Sequence, residues 1–387
     1  MPSQRFFATA PKGIASLLAD ELRQLGAGDV VERVAGVAFT GNLELGYRAC
    51  LWSRTAGRVL LELARFEAPT PEAMYAGVQT MDWSEHLAPT GTLAVDFHSL
   101  RSQITHTHFG ALKVKDAIVD QFRMRHGGRP SVALERPDVR VSLVLDRDQA
   151  VLSLDLSGES LHRRGYRIDS VIASLKQNLA AALLLRCGWP AIAAAGGAFV
   201  DPMCGSGTLA IEAAMIAGDI APGLKRGYYG FLRWRQFDAA LWHGLLREAG
   251  ERREAGESKL PPIHISDADH RAIAAAKQNV KAAGLGHRIL IKQADLSELL
   301  CPPTDTGLVL VNPPYGERLD DTEKLRALYT LLGQKLRQEF SGWQAAVFTG
   351  NPPLGRYLGL TARRKHTFYN GAIECQLLRF DITPVPT

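Results

Sequence analysis

Cysteine is scarce in this sequence and arranged for neither disulfides nor zinc. The 387 residues include five: Cys50, Cys187, Cys204, Cys301 and Cys375. The number is odd and no Cys-x-x-Cys pair occurs, so neither a disulfide framework nor a structural zinc site is expected, and a reducing cytoplasm fits. His98, His106, His108 and His126 lack the spacing and partners of a metal site, and no metal is expected. No apolar run reaches the roughly 18 residues of a membrane span, so no membrane is expected as a partner. The opening "MPSQRFFATAPKG" carries a lone Arg and no apolar core, so no signal peptide is expected. Low-complexity tracts and fixed-period repeats are missing too. Neither charge sign dominates: 45 Lys and Arg against 40 Asp and Glu leave +5. That sum says little about partners, although the excess falls entirely after Leu175.

What is present is ordinary for a globular chain, with 46% hydrophobic and 22% charged residues. The length suggests two or three domains. Residues 1–62 read as a small α+β unit: "RFFATA" is extended, "IASLLADELRQLG" has helical spacing with Gly26 as its stop, and "VVERVAGVAFTG" alternates like a hairpin. Residues 63–160 read as a second such unit. It has a strand in "TLAVDFHSL", an amphipathic helix in "FGALKVKDAIVDQFRMRHG", and two strands around Asp-Arg-Asp in "VRVSLVLDRDQAVLSLDLSG". A basic connector, 161–175, leads to strand–helix alternation over 176–387, closed by a hairpin through Asn370-Gly371. That rhythm predicts an α/β fold with a parallel sheet and an antiparallel edge.

In "FVDPMCGSGTLA" a strand ends at Asp201. Gly205 and Gly207 allow a tight turn, and a helix opens at Thr208 with its free N–H groups toward the loop. Gly205-x-Gly207-x-x-Ala210 matches the dinucleotide fingerprint as a pattern. Two features argue against a nicotinamide. The next strand's acid, Asp267, comes 62 residues after Gly205 rather than about 20. Asp201 would also repel a pyrophosphate. An acid there suits an ammonium, as in S-adenosylmethionine. Asp201 then takes the ammonium, Asp267 the ribose hydroxyls and Asp295 the adenine amine. Three successive strand ends thus line one crevice. Asp269 reads as a helix N-cap and Cys204 as a packing residue.

"VNPPYGER" ends the next strand. The Asn312 amide oxygen and the Pro313 carbonyl, directed by Pro314, supply two acceptors for an –NH2, and Tyr315 a face for a base. Positioning of this kind serves methyl transfer without a nucleophile or a metal. Asn-Pro is also a common turn initiator. "TGNPPLG", Thr349 to Gly355, is read as that turn, because Leu354 replaces the aromatic.

Taken together, "DPMCGSGTLAIEAAMIAG", "APGLKRG", "VNPPYGERL" and "LHRRGYR" resemble the RlmL-type large-subunit rRNA guanine-N2 methyltransferases over nearly the whole chain. "VALERPDVRVSLVLDRDQAVLSLDLSGESLHRRGYR" resembles the second half of a THUMP RNA-binding domain. The resemblance implies a ferredoxin-like unit, a THUMP-like domain and a Rossmann-like class I methyltransferase with a mixed seven-stranded sheet. It implies S-adenosyl-L-methionine as cofactor and large-subunit rRNA as partner, and it leaves a homodimer open. The cofactor residues it implies are Asp201, Met203, Cys204, Gly205, Ser206, Gly207 and Thr208, then Asp267, Ala268, Asp295, Leu296 and Asn312. Asn312, Pro313, Pro314 and Tyr315 would hold the target amine. Many members carry Lys-Glu-Thr where "LKQN" stands here, so the contacts of Gln177 and Asn178 are left open. Some members are fused to a second methyltransferase; one Gly-rich loop implies only the first activity here. A tRNA guanine-N2 enzyme, an adenine-N6 enzyme and a non-catalytic RNA-binding assembly factor are the alternatives.

Two stretches read as RNA contacts. In "LKRGYYGFLRWR", Lys225, Arg226, Arg233 and Arg235 interleave with Tyr228, Tyr229, Phe231 and Trp234, cations for phosphates beside rings for bases. Packing of the rings into the protein is the plainer alternative. From Arg101 to Arg129, Lys113, Lys115 and Arg123 belong to a basic excess that suits a phosphate track or a solvated face. Arg163, Arg164 and Arg167 of the connector can clamp RNA or pack against the sheet.

Overall fold

The structure, a computed structural model, describes residues 3–168, 175–314 and 322–383. They fall into two compact units. The first comprises the chain up to Ala10, Leu18–Leu161 and Arg226–Leu246; the second comprises Pro11–Leu17, His162–Lys225 and the chain from Arg247 onward.

The chain begins with β1 (Gln4–Thr9), α1 (Ala15–Gln24), β2 (Gly28–Arg33), β3 (Gly36–Gly41), α2 (Leu43–Trp52) and β4 (Arg58–Glu67). Then come α3 (Pro71–Gln79), β5 (Thr92–Leu100), α4 (Thr107–His126), β6 (Ser131–Val132), β7 (Val139–Asp146) and β8 (Gln149–Asp155). These eight strands form one sheet in the order β2-β3-β1-β4-β8-β7-β5-β6. The domain edge expected at 62 falls inside β4. This strand is ten residues long, and pairs with β1 through Phe6 and Leu61 and with β8 through Asp155 and Leu60. Both of its edges are used, so the two α+β stretches share a sheet. The β7–β8 hairpin turns at Arg147 and Asp148, both left-handed with φ of 51° and 60°. That geometry matches the twist of the flanking strands.

The aromatic insertion also builds this unit. Tyr229, Phe231 and Trp234 are buried. Tyr47 stacks on Phe231 at 4.2 Å, and Trp242 meets Phe231 edge-on at 5.0 Å. Trp234 donates its indole N–H to His86 Nδ1 at 2.9 Å. These rings pack with one another instead of offering faces to bases, because burying them yields more than exposing them to water.

In the second unit, α5 (Gln177–Arg186) and α6 (Trp189–Ala194) precede β9 (Ala198–Asp201) and α7 (Thr208–Ala217). α8 (Ala239–Glu257), which belongs to the first unit up to Leu246 and to the second from Arg247, β10 (Ile263–Asp267), α9 (His270–Ala283) and β11 (Leu290–Gln293) follow. β12 (Gly307–Val311), α10 (Thr322–Glu339), β13 (Gln344–Thr349), β14 (Arg364–Asn370) and β15 (Ile373–Asp381) complete it. Seven strands lie in the order β11-β10-β9-β12-β13-β15-β14. The first five are parallel and the final hairpin is antiparallel. Its turn residues are Gly371 and Ala372, one position later than expected, since Asn370 still pairs with Ile373.

The central strands β9 and β12 are buried on both faces. Leu308 and Leu310 of β12 join Phe199 and Ile265 in a core under α5, α7 and α9. Val309 and Val311 join Val200 and Val347 in a second core under α10. Such unbroken apolar runs mark parallel strands buried on both sides. The second Asn-Pro-Pro, read as a plain turn, instead opens a 3-10 helix, Pro352–Leu358, with Leu354 and Leu358 buried in that second core.

The connector is tied to α7. Tyr166 donates its hydroxyl to Glu212 Oε1 at 3.0 Å, and Arg164 Nε lies 3.5 Å from the same oxygen. Glu212 and Arg164 are 0% and 1% exposed. Arg164, expected at an RNA surface, is therefore an internal counter-charge. Glu212→Ala removes that buried counter-charge and should destabilise the second unit by about 3–5 kcal/mol. Urea unfolding checks this, and a change below about 1 kcal/mol would mean that the pair contributes little.

Candidate active site

β9 and β12 are neighbours, but the chain leaves them in opposite directions along the sheet, toward β10 and β11 on one side and β13 on the other. Such a reversal opens a crevice beyond the carboxyl ends of the strands. The register brings the expected residues to that crevice. Asp201 ends β9 opposite Ile265 of β10, Asp267 ends β10 opposite Gln293 of β11, and Val309 of β12 lies opposite Val200. Asp295 and Asn312 follow just beyond their strands.

The loop after Asp201 is held by backbone and carboxylate bonds. Gly205 and Gly207 adopt φ of 51° and 78°, a left-handed conformation that side chains disfavour. Cys204 N–H donates to Ser266 O at 3.0 Å and Gly207 N–H to Cys204 O at 2.9 Å. Asp267 Oδ2 accepts the Gly205 N–H at 2.9 Å and Oδ1 the Asp269 N–H at 3.0 Å. Asp267 thus fastens the loop to β10. Ser206 Oγ lies 3.4 Å from Thr208 Oγ1 at the start of α7. Cys204 is buried and its thiol is pushed far up, by burial first and then by Asp201, so it is an inert packing residue.

Asp201 is 1% exposed and accepts the Met203 N–H at 3.2 Å. Among the described residues no cation pairs with it. Burial, with a smaller push from Asp267, raises its carboxyl to about 8. A buried acid in that condition is a seat for a positive group. Asp295 is exposed and accepts the Ser297 N–H at 2.9 Å and hydroxyl at 2.7 Å, which hold it below its usual range. Glu298 returns a bond to the Asp295 N–H at 3.1 Å. This capping box around Leu296 fixes the carboxylate at the crevice edge. Asp269 caps α9 as expected, accepting the Arg271 N–H at 2.9 Å. Ala268 lies between these two acids at the tip of β10.

Asn312 carries a buried Oδ1 with no hydrogen-bond partner among the described residues. Pro313 beside it is buried and Pro314 exposed. Tyr315, Glu317 and Arg318 lie outside the described residues. The unmatched Oδ1 is an acceptor waiting for a donor, which fits a target amine.

Sequence reading missed Asn279. On α9, and 1% exposed, it donates Nδ2–H to Ser206 O at 3.0 Å and accepts the Ile168 N–H at 2.9 Å. A polar residue on the apolar face of an amphipathic helix was the available signal.

The expected RNA residues divide. Arg226 donates to the carbonyls of Ser160, Glu159 and Ser157 at 3.0, 3.1 and 3.3 Å, which makes it an internal strut. Lys115 pairs with Asp116 at 2.7 Å, Arg123 with Asp120 at 2.9 Å and Arg233 with Asp138 at 3.2 Å. Lys113 stands 4.0 Å from Glu72, and its ammonium lies over the Tyr75 ring. Arg163, Lys225, Arg233 and Arg235 are exposed. Among the described residues no group of three or more His, Cys, Asp or Glu is placed to hold a metal ion. No described helix is long and apolar enough to cross a membrane.

Comparison with known proteins places the chain in a methyltransferase family. A family model described as "RMKL-like, methyltransferase domain" matches residues 164–379, a "RlmL ferredoxin-like domain" matches 5–60 and a THUMP domain matches 68–155. A Syntrophotalea carbinolica protein named ribosomal RNA large subunit methyltransferase K/L is 57% identical over 98% of this chain and 53% of its own length. A Methylococcus capsulatus protein of that name is 57% identical over 99% and 52%. The chain therefore spans about half the length of the curated relatives it matches. Among solved structures, a putative methyltransferase complexed with SAH is 31% identical, with a TM-score of 0.88 over 100% of both chains. A predicted N6-adenine-specific DNA methylase from Listeria monocytogenes is also 31% identical, with a TM-score of 0.87 over 98% and 96%.

The raised Asp201 value has a consequence for stability. The folded chain keeps a proton on this group that the unfolded chain releases near 3.8, so its contribution to stability falls as pH rises from 3.8 to about 8. The loss can reach about 1.4 kcal/mol per pH unit. Asp201→Asn should flatten that slope, and thermal melting of both proteins without ligand between those pH limits reads it directly. Parallel slopes would show that Asp201 is ionised throughout.

Proposed function

The chain belongs to the RMKL-like methyltransferase family, and we propose that it transfers a methyl group from S-adenosyl-L-methionine to the exocyclic N2 of a guanine in large-subunit rRNA. The observation that carries this reading is the pairing, across one strand reversal, of a buried carboxylate at Asp201 and an amide oxygen at Asn312, neither matched by a partner charge or donor among the described residues. The first suits a cationic cofactor and the second an amine. When bound, the cofactor supplies a methyl group on a sulfonium.

The protein's own residues position the reactants. Asp201 receives the ammonium, for which its ionisation is otherwise disfavoured. Asp267, already oriented by the Gly205 and Asp269 amides, offers its remaining lone pairs to the ribose. Asp295, held by its capping box, faces the adenine amine. Asn312 Oδ1 accepts an N–H of the target and so turns the nitrogen lone pair toward the donor. Asn279 and Asp267 keep the loop fixed, which saves reorganisation during transfer. The relatives named for the ribosomal large subunit and the THUMP match support RNA as the substrate. A second reading, adenine-N6 methylation, is favoured by the Listeria relative's name and by a lip that recognises an amine rather than a ring. A target base in either case must be unpaired or flipped.

Incubation with labelled cofactor and unmodified rRNA or tRNA, followed by nuclease digestion, tests this. Label should appear as N2-methylguanosine in large-subunit rRNA; label confined to tRNA, or recovered as N6-methyladenosine, overturns the assignment. Asn312→Ala should retain cofactor affinity while turnover falls by roughly 100-fold or more.

A further inference from the structure

The second Asn-Pro-Pro leaves the sheet at the same edge as the first. β12 and β13 are parallel neighbours, with Val311 opposite Val347. Thr349 ends β13 and is buried. Its Oγ1 lies 2.9 Å from the Tyr329 hydroxyl of α10 and accepts the Asn351 N–H at 3.1 Å. The 3-10 helix Pro352–Leu358 is thus fastened to α10. α10 runs away from the crevice edge, and Arg326 lies one turn before Tyr329, nearer that edge.

Tyr357 of the 3-10 helix is half-buried, packed against the second core. Two guanidinium groups lie over its ring, Arg326 at 5.5 Å and Arg356 at 5.0 Å from the centroid. Arg356 Nη2 also donates to the Tyr357 hydroxyl at 3.1 Å. Both arginines are exposed, and among the described residues neither has a carboxylate partner. Other exposed arginines of this unit do have one: Arg271 pairs with Asp269 at 3.1 Å and Arg363 with Asp381 at 2.6 Å. Tyr369, the ring under Lys12, is balanced as well, its hydroxyl donating to Glu374 at 2.8 Å.

Two like charges held on one ring repel each other, and an anion between them removes that repulsion. The groups on offer, two guanidiniums and a phenol hydroxyl, are all donors, so the matching ligand is negative and carries acceptor oxygens only. A phosphodiester is such a group, and its two free oxygens fit the fork of a guanidinium. Resting on the RNA reading above, we propose that Arg326, Tyr357 and Arg356 grip a backbone phosphate of the RNA strand beside the target base. The contact fixes the position of the strand and carries no sequence information. A base drawn out of its stack toward Asn312 needs its neighbours held in this way.

Filter binding of the full chain to an unmodified large-subunit rRNA transcript, repeated across a salt series, tests this. Arg326→Gln combined with Arg356→Gln should weaken RNA binding roughly 10-fold and lower the slope of log affinity against log salt by about 1. Affinity for S-adenosylhomocysteine, read by calorimetry, should stay at the parent value. Arg326→Lys combined with Arg356→Lys should keep the slope but recover only part of the affinity, since an ammonium cannot make the forked contact. Tyr357→Leu should weaken RNA binding without changing the slope. Unchanged slope and affinity in the double glutamine variant, or an equal loss of cofactor affinity, overturns the proposal. So does a site for inorganic phosphate that this variant loses while it keeps its RNA affinity, which would assign a free anion instead. A parent chain that binds no RNA refutes the RNA reading itself, and this site with it. Thermal melting verifies that each variant is folded, and the lysine pair carries the test should the glutamine pair not fold.

Discussion

Asp201 ends a fully buried strand with the Met203 N–H as its hydrogen-bond donor, and much of the second unit is arranged around that carboxylate. Because β9 lies between β10 and β12, the chain leaving Asp201 must cross the sheet edge at once. It does so on two left-handed glycines, and bonds from Asp267 and Asn279 hold it there. Burial makes the ionisation of Asp201 costly, and a positive ligand seated there, as proposed, would turn that cost into an attraction. The same burial that disfavours the free carboxylate strengthens that attraction, since little water screens it.

Buried charge recurs in the connector with the opposite outcome. Arg164 meets Glu212, which also accepts the Tyr166 hydroxyl, in the interior, so this group is balanced within the protein and anchors the segment on α7. Arg167, three residues on, is only partly matched. The contrast separates a structural ion pair from a guanidinium whose Nε has no acceptor among the described residues, although both arginines belong to one short basic motif. Arg226 follows the first pattern: its guanidinium is spent on main-chain carbonyls, a role that no lysine could fill with the same geometry.

Much of the second unit was legible in the sequence. Its strands β9, β10 and β12 are short runs that end in, or just before, an acid or an amide, and polar residues stop such runs where the sheet meets the crevice. Asp201, Asp267, Asp295 and Asn312 were therefore visible as strand ends, and Asp269 as a cap. The eight-stranded sheet was not. β4 pairs with β1 and with β8, and nothing in the alternation of β4 states which distant partners flank it. The rings of the insertion were equally ambiguous, because aromatic residues beside cations describe an RNA-binding loop and a packed corner equally well.

By itself the sequence determined periodicity, element order and the chemistry available at each strand end, since these depend on neighbours close along the chain. Tertiary structure alone decided which charges remain unmatched. Arg164 and Arg167, or Asn279 and Asn312, are alike as residues. Only folding sets one beside a partner and leaves the other with a buried atom unmatched among the described residues, because hydrogen bonding and desolvation depend on groups brought together from far apart in the chain.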